Sequence, residues 1–162
     1  MRIGIISDTH NQHYPLRPAL KQLRRRGIGT LLHAGDVTNV ATLELLRPFD
    51  TWIARGNMDR DPGLLQAAAE FFGPQRMQMT HDLHINGTRL ALLHGDAWQT
   101  LHDLISSQEY AYVIHGHTHI PKDDRVNATR VINPGAMGNT RWYSATCAIL
   151  DLSTGDMEWL EF

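Results

Sequence analysis

Tyr112-Val113-Ile114-His115-Gly116-His117-Thr118-His119 is the stretch on which the reading of this chain turns. Ala111 to Ile114 form a short apolar run of the kind that makes a buried strand. Three histidines follow within five residues, with Gly116 among them. A strand that stops there and delivers His117 and His119 makes one wall of a metal site, because imidazole is the commonest metal-ligating side chain near neutral pH. Glycine lets the backbone turn tightly as it leaves a sheet. A His-rich tract alone is only a compositional hint. It gains meaning when other strands of the chain also end in carboxylates and histidines.

They do. Working outward, Arg2 to Ser7 reads as a strand ending in Asp8-Thr9-His10, and Thr30 to Ala34 as one ending in Gly35-Asp36. Thr51 to Ala54 runs into Gly56-Asn57-Met58-Asp59, and Thr88 to Leu93 into His94-Gly95-Asp96. Helical spacing fills the gaps: Leu16, Ala19, Leu20 and Leu23, then Val40, Leu43 and Leu46, then Leu64, Leu65, Ala68 and Phe72, and later Leu101, Leu104 and Ile105. Arg24-Arg25-Arg26-Gly27 closes the first helix with cations at its negative end and a glycine stop, so it reads as a solvated helix end rather than a phosphate patch. Thr38 or Asn39 can cap the second helix.

The first half therefore runs β-α-β-α-β-α, which calls for a parallel sheet. The second half changes to hairpins. Met77 to Ile85 and Thr88 to Leu93 meet through Asn86-Gly87, a strong turn signal. Asp123 to Val126 pairs with Arg130 to Ile132, and Tyr143 to Leu152 with Met157 to Phe162. Two mixed β-sheets packed face to face with helices outside is the expected α/β architecture, as a single domain over residues 1–162.

Bulk properties narrow the function classes. A hydrophobic share of 42% suits a globular core, and a net charge of -2 lacks the basic excess of a dedicated nucleic-acid binder. No stable nucleic-acid complex is expected, while a small nucleotide substrate stays open. Cys147 is the only cysteine, which fits a reducing compartment. No run is long enough to cross a bilayer, and the N-terminal apolar run ends at Asp8, too early for a signal peptide. These features place the expected protein in the cytoplasm. The oligomeric state is left open, a homo-oligomer included.

Five strand ends thus carry Asp8 with His10, Asp36, Asn57, His94, and His117 with His119. All are nitrogen or oxygen donors, which suit divalent manganese, iron, nickel or zinc better than a thiolate-bound structural zinc. Seven donors exceed the need of one tetrahedral ion, so two ions are the natural reading, with manganese the first expectation. Two divalent cations against Asp8 and Asp36 leave a net positive centre, which favours a phosphate substrate.

Asp8-x-His10, Gly35-Asp36, Gly56-Asn57, His94-Gly95 and Gly116-His117-Thr118-His119, in that order and each after an apolar run, resemble the calcineurin-like metallophosphoesterase superfamily. The short length and the form Gly56-Asn57-Met58-Asp59 resemble its small bacterial and archaeal phosphodiesterase branch. The resemblance spans residues 2 to about 141 and implies a four-layer αββα sandwich with a dinuclear site at one sheet edge. It implies that Asp8, His10, Asp36 and His119 hold one ion, and Asp36, Asn57, His94 and His117 the other, with Asp36 bridging. A metal-bridging hydroxide would then attack the phosphorus of a small phosphodiester in line, with Asp36, Asn57 and His94 the catalytic residues.

Two departures from the family pattern stand out. Position 58, where the wider superfamily often places a histidine resembling a general acid, is Met58, whose thioether has no proton to donate. Asn11 replaces a common glycine and is read as closing a turn. His13 and Arg141 are low-ranked expectations for substrate phosphate contacts. His115 is expected to pack at a strand end, and His33, His81, His84 and His102 to be structural or exposed. Asp59 is expected to orient a ligand or a loop rather than donate a proton, and Asp96 to support His94 or cap a helix. The alternatives carried forward are a catalytically weak interaction scaffold on the same fold, which one eukaryotic trafficking-complex subunit exemplifies, and a phosphomonoesterase.

Overall fold

The N-terminal isoleucines enter the middle of a sheet. Strand β1 (Arg2–Ile6) lies between β2 (Thr30–His33), parallel to it, and β10 (Thr146–Asp151), antiparallel to it. The computed structural model describes residues 1–138 and 144–162. In the same sheet β3 (Asp50–Ala54) runs parallel to β2, the two-residue β4 (Met77–Gln78) parallel to β3, and β11 (Met157–Glu161) flanks β10. The second sheet has the order β5 (Thr80–Ile85), β6 (Thr88–Leu93), β7 (Tyr112–Ile114), β9 (Thr129–Asn133), β8 (Lys122–Val126). Strands β6, β7 and β9 are mutually parallel, and the outer two strands pair antiparallel.

Alternation along β1 separates two cores, since successive strand side chains point to opposite faces. Ile3 and Ile5 pack between the sheets with Leu32, Ala54, Leu90, Leu92, Ile114 and Ile132. Ile6 points the other way, into a cluster built by α1 (His13–Arg25), α2 (Val40–Leu46) and α3 (Gly63–Phe72). Gly4 shares that face, where a β-carbon would stand 3.0 Å from Leu31 and 3.3 Å from Leu23, so α1 seats close to the sheet. Each fully buried aliphatic side chain here contributes about 1.5–3 kcal/mol. On the far face α4 (Trp98–Ser107) lays Leu101, Leu104 and Ile105 over Ala91, Leu93 and Val113, but buries none of its residues fully. The layers are helix, sheet, sheet, helix.

The expected Asn86-Gly87 hairpin turn forms, with φ of 51° and 76° at those residues, the left-handed pair that a tight hairpin needs. One expected strand is divided. Met77 to Ile85 reads as a single run, yet Met77–Gln78 pairs with β3 in the first sheet and Thr80–Ile85 with β6 in the second. The chain changes sheets at Met79, which is exposed. A strand that bends between packed sheets keeps its apolar alternation, so nothing local marks the corner. Of the run expected over Tyr143 to Leu152, Tyr143 lies outside the described residues, and pairing with β11 is described from Thr146 on. Cys147 is buried, and burial pushes its thiol up to about 12. Among the described residues no helix is long and apolar enough to cross a membrane.

Candidate metal centre

The parallel strands β1, β2, β3, β6 and β7 point their C-terminal ends toward one edge, the usual site position in open α/β sheets. The turns that follow are abrupt. Asp8, His10, Asp36, His117 and His119 all hold positive φ, from 43° to 67°. A non-glycine residue in the left-handed region costs of order 1–3 kcal/mol, and such strain gathers at functional sites. Five of the seven expected donors carry it.

Asp8 is buried at the centre. Its Oδ2 accepts from the Ser7 hydroxyl at 2.5 Å and from the His117 backbone N–H at 3.0 Å. Its Oδ1 is buried with no hydrogen bond, and His119 Nε2 stands 3.2 Å from it and His10 Nε2 3.8 Å. Burial pushes the Asp8 carboxyl up, but His119, Ser7 and the charge of His94 hold it below the ordinary aspartate value. It is an anion at neutral pH, with one oxygen aimed at imidazole nitrogens.

Asp36 divides its oxygens in the same way. Oδ1 accepts from the Met58 backbone N–H at 2.9 Å. Oδ2 lies 3.6 Å from His10 Nε2 and 3.5 Å from His94 Nε2, between the two halves of the site. On one side His10 Nε2 and His119 Nε2 are 3.2 Å apart. On the other, His94 Nε2 is 3.1 Å from Asn57 Oδ1 and 3.3 Å from His117 Nδ1. His94 Nδ1 is 2.8 Å from the Ala34 carbonyl oxygen, so it carries the proton and Nε2 is left as a lone-pair donor.

Two groups therefore have ligand atoms within 4.8 Å of one another: Asp8, His10 and His119, and Asp8, Asp36 and His94. Imidazole nitrogens that converge on two buried carboxylates form an all-nitrogen-and-oxygen donor set, which fits a divalent metal. Backbone space has been kept free for them. A β-carbon at Gly56 would collide with the Asp36 carboxylate, and one at Gly116 with Ser7 Oγ and Asp8 Oδ2.

A supporting layer fixes the donors. Both oxygens of Asp59 accept backbone N–H bonds, from Thr38 at 2.7 Å, Asp36 at 3.0 Å and Gly56 at 2.8 Å. Asp59 thus orients the loops, as expected of it. Arg55 Nε donates to the Asp59 carbonyl and Arg60 Nε to that of Asn57, which pins the same loop. Asn133 donates to the Gly116 carbonyl oxygen at 2.7 Å and to Thr118 Oγ1 at 3.0 Å, holding the histidine turn. His115 is buried, with Nδ1 3.1 Å from the Gly116 carbonyl oxygen, and burial lowers its affinity for a proton. Asp96 is exposed and neither supports His94 nor caps α4 by a side-chain hydrogen bond. His13 Nε2 is 3.0 Å from Thr42 Oγ1, which engages that ring with α2. Arg141 lies outside the described residues.

His33 is the residue whose part the sequence did not reveal. It is fully buried; its Nδ1 accepts from the Gly35 N–H at 3.1 Å, so Nε2 carries the proton and meets Thr9 Oγ1 at 3.2 Å. It thereby ties the loop of Asp8 and His10 to that of Asp36. Its only sequence signal is a histidine at the end of a fully buried strand. Burial holds its pKa down to about 3. An unfolded chain takes a proton near 6.5 that the native state refuses. The stabilisation from neutral His33 is thus present above about pH 6.5 and is lost as pH falls toward 3. Chemical denaturation between pH 7 and 4.5, with EDTA present throughout, should show a smaller decline for His33→Gln than for the wild type. Equal declines would remove His33 as a source of acid sensitivity.

Comparison with known proteins bears on this arrangement. The sequence profile of the calcineurin-like phosphoesterase superfamily domain matches residues 1–155. The chain is 27% identical over 154 residues to Phosphodiesterase MJ0936 of Methanocaldococcus jannaschii, and the match covers 93% of both proteins. Among solved structures it is similar to a novel archaeal phosphodiesterase, with a TM-score of 0.92 and 25% identity over 100% of both chains. A single mutant of Vps29 from Entamoeba histolytica shares the fold, with a TM-score of 0.75 and 20% identity over 100% of this chain and 99% of that one.

Proposed function

We propose, from the premise that this chain belongs to the calcineurin-like phosphoesterase superfamily, that it is a metal-dependent phosphodiesterase with a dinuclear site. The observation that carries the reading is the position of Asp36 Oδ2, 3.6 Å from His10 Nε2 and 3.5 Å from His94 Nε2, with the orphaned Asp8 Oδ1 beside it. An oxygen so placed serves two donor groups at once. Asp8, His10, Asp36 and His119 would hold one divalent ion, and Asp36, Asn57, His94 and His117 the second. When bound, such a pair supplies Lewis-acid charge to a phosphate and lowers the pKa of coordinated water.

The chain's own residues do the rest. Asp36 is fixed by the Met58 N–H, so its free oxygen keeps its place between the halves. Asn57 offers a neutral oxygen, which leaves the centre more positive than a third carboxylate would. The hydroxyls beside the donors are committed elsewhere: Ser7 donates to Asp8, and Thr9 is held by His33 and the Asp36 carbonyl. Neither is placed to become a nucleophile, which supports direct in-line displacement at phosphorus by water, with no covalent enzyme intermediate. The all-nitrogen-and-oxygen donor set suits manganese first, then iron, nickel or zinc. A single buried thiol accords with a cytoplasmic location.

The relatives' names support a small phosphodiester as substrate. A scaffold on the same fold has no need of converging donors, and a monoesterase would gain more from an acid at position 58 than Met58 provides. The test is a crystal grown with manganese and anomalous data at its absorption edge, alongside assays on aryl phosphodiesters and phosphomonoesters. Two peaks about 3.5–4 Å apart are expected, with one beside Asp8, His10 and His119 and the other beside Asn57, His94 and His117. A single tetrahedral ion, or ions elsewhere, overturns the dinuclear reading. Preference for monoesters overturns the diester assignment.

A further inference from the structure

Between Asp8 and Asp36 the chain carries Arg17, Lys21, Arg24, Arg25 and Arg26 and no acidic residue; the protein's 17 acids all lie outside residues 9–35. Helix α1 divides these cations. Arg26, its C-cap, donates to Glu158 at 2.8 Å and to the Gln22 side chain. Arg17, Lys21, Arg24 and Arg25 are exposed and form no ion pair among the described residues. We infer that the outer face of α1 is a track for single-stranded nucleic acid, whose end it delivers to the donor edge. The delivery rests on the phosphodiesterase reading above and names the substrate class for that site.

Helix geometry gathers the cations into one stripe. At 3.6 residues per turn, Tyr14, Arg17, Lys21, Arg24 and Arg25 fall within an arc of about 100°. The opposite side carries Leu16, Ala19, Leu20 and Leu23, which are buried against the sheet, so the stripe faces solvent. Tyr14 heads it and is 93% exposed. Tyr14 and Arg17 also line one surface groove, together with Gln12. The stripe starts beside the metal centre. Tyr14 is four residues from the donor His10, which limits the separation of their Cα atoms to about 14 Å. The Gln12 N–H is bonded to the Thr9 carbonyl at 2.8 Å, which fixes the start of the helix to the donor loop. From Tyr14 to Arg25 the helix then runs about 16 Å.

Chemistry selects the partner. A small diester held at the donors has no charge to place on cations along the helix, whereas a polyanion does. Nucleic acid is the polyanion whose repeating linkage is itself a phosphodiester, the bond the adjoining edge is read to cut. A cationic groove with an aromatic ring on which a base can stack is the usual means of holding a single strand without sequence preference. A duplex keeps its bases paired and offers Tyr14 no free face. Four cations make a weak, salt-sensitive contact, which accords with a chain whose overall charge is -2.

The test measures fluorescence anisotropy of a labelled oligothymidylate with phosphorothioate linkages, which resist hydrolysis, on the manganese-loaded full-length chain. Wild-type affinity should fall about 50-fold between 50 and 200 mM salt, a log–log slope of about 3 for four phosphate contacts on a single strand. Neutralising Lys21, Arg24 and Arg25 together to Gln should weaken binding at 50 mM salt and lower the slope by about 2. Tyr14→Ala should cost about tenfold with the slope unchanged, because stacking carries no charge. A control with Lys122→Gln and Arg125→Gln, exposed on β8, should stay within about twofold of wild type. With ordinary oligothymidylate, the triple variant should lose about tenfold in kcat/KM, while its turnover of an aryl diester stays within about twofold, since none of the three is a donor. A wild type that does not bind the oligonucleotide, a folded triple variant that binds and cleaves it normally, or equal losses in the control overturn the inference alone. So does capture of phosphatidylserine vesicles or polyglutamate by the same cations without capture of the oligonucleotide. Stripe-dependent binding by a loaded wild type that cleaves neither substrate overturns the phosphodiesterase reading, and the delivery with it.

Discussion

Asp36→Asn is expected to lower diester turnover by about 10³-fold, the scale of removing roughly 4 kcal/mol of transition-state stabilisation. His10→Ala should cost less, on the order of 10–100-fold when metal is saturating. The difference follows from geometry. His10 Nε2 belongs to the half of the site it shares with Asp8 and His119. Asp36 Oδ2 stands within 3.6 Å of imidazoles on both sides. The amide of asparagine keeps the shape but removes the negative charge, and an oriented amide offers only one oxygen. Met58 N–H could still be accepted, so the loop should hold. The measurement is kcat at saturating manganese for both variants, with thermal melts to show that each is folded. Near-normal turnover in Asp36→Asn beside a dead His10→Ala would refute the bridging role.

Wild-type turnover should fall steeply as leaving-group pKa rises, so aryl diesters react well and simple alkyl diesters poorly. General acid help is worth typically about 10²–10⁴-fold, and the residues near the site are poorly disposed to give it. Met58 has no proton to donate; its backbone N–H anchors Asp36, while the side chain projects into solvent. Burial lifts the Asp59 carboxyl above its ordinary value, which by itself would suit an acid, but both of its oxygens accept backbone N–H bonds. The His13 ring is engaged with Thr42. Met58→His should therefore raise the rates of the poorest leaving groups most, by up to about 10²-fold, and flatten the series. The check is a leaving-group series for both proteins under conditions where chemistry limits the rate. A flat wild-type series would show that another group already supplies the proton.

The candidate site was legible before the fold was. Each of the seven expected donors follows an apolar run, and each run became a strand. Helix α1 with its arginine-glycine end, the Asn86-Gly87 turn and the asparagine cap of α2, where Asn39 accepts from the Thr42 N–H, follow the same local logic. Such features depend on neighbours a few residues apart, so side-chain periodicity and turn chemistry decide them. Other features depend on contacts across the chain. His10 and His119 meet at 3.2 Å although 109 residues separate them. Parallel register at β1, β2 and β3, and again at β6 and β7, is what brings the strand ends to one edge. The sheet change at Met79, the left-handed backbone at five donors, and the clearances at Gly56 and Gly116 arise only once those edges are packed. His33 belongs with them: a buried strand-end histidine has no distinguishing sequence pattern, and its role comes from a hydroxyl on another loop. The candidate donors were therefore determined by the sequence, because they reside in side-chain chemistry and local strand ends. Which of them stand close enough to share an ion, and what holds them, was decided by tertiary packing, because it depends on distances of a few ångströms between remote segments.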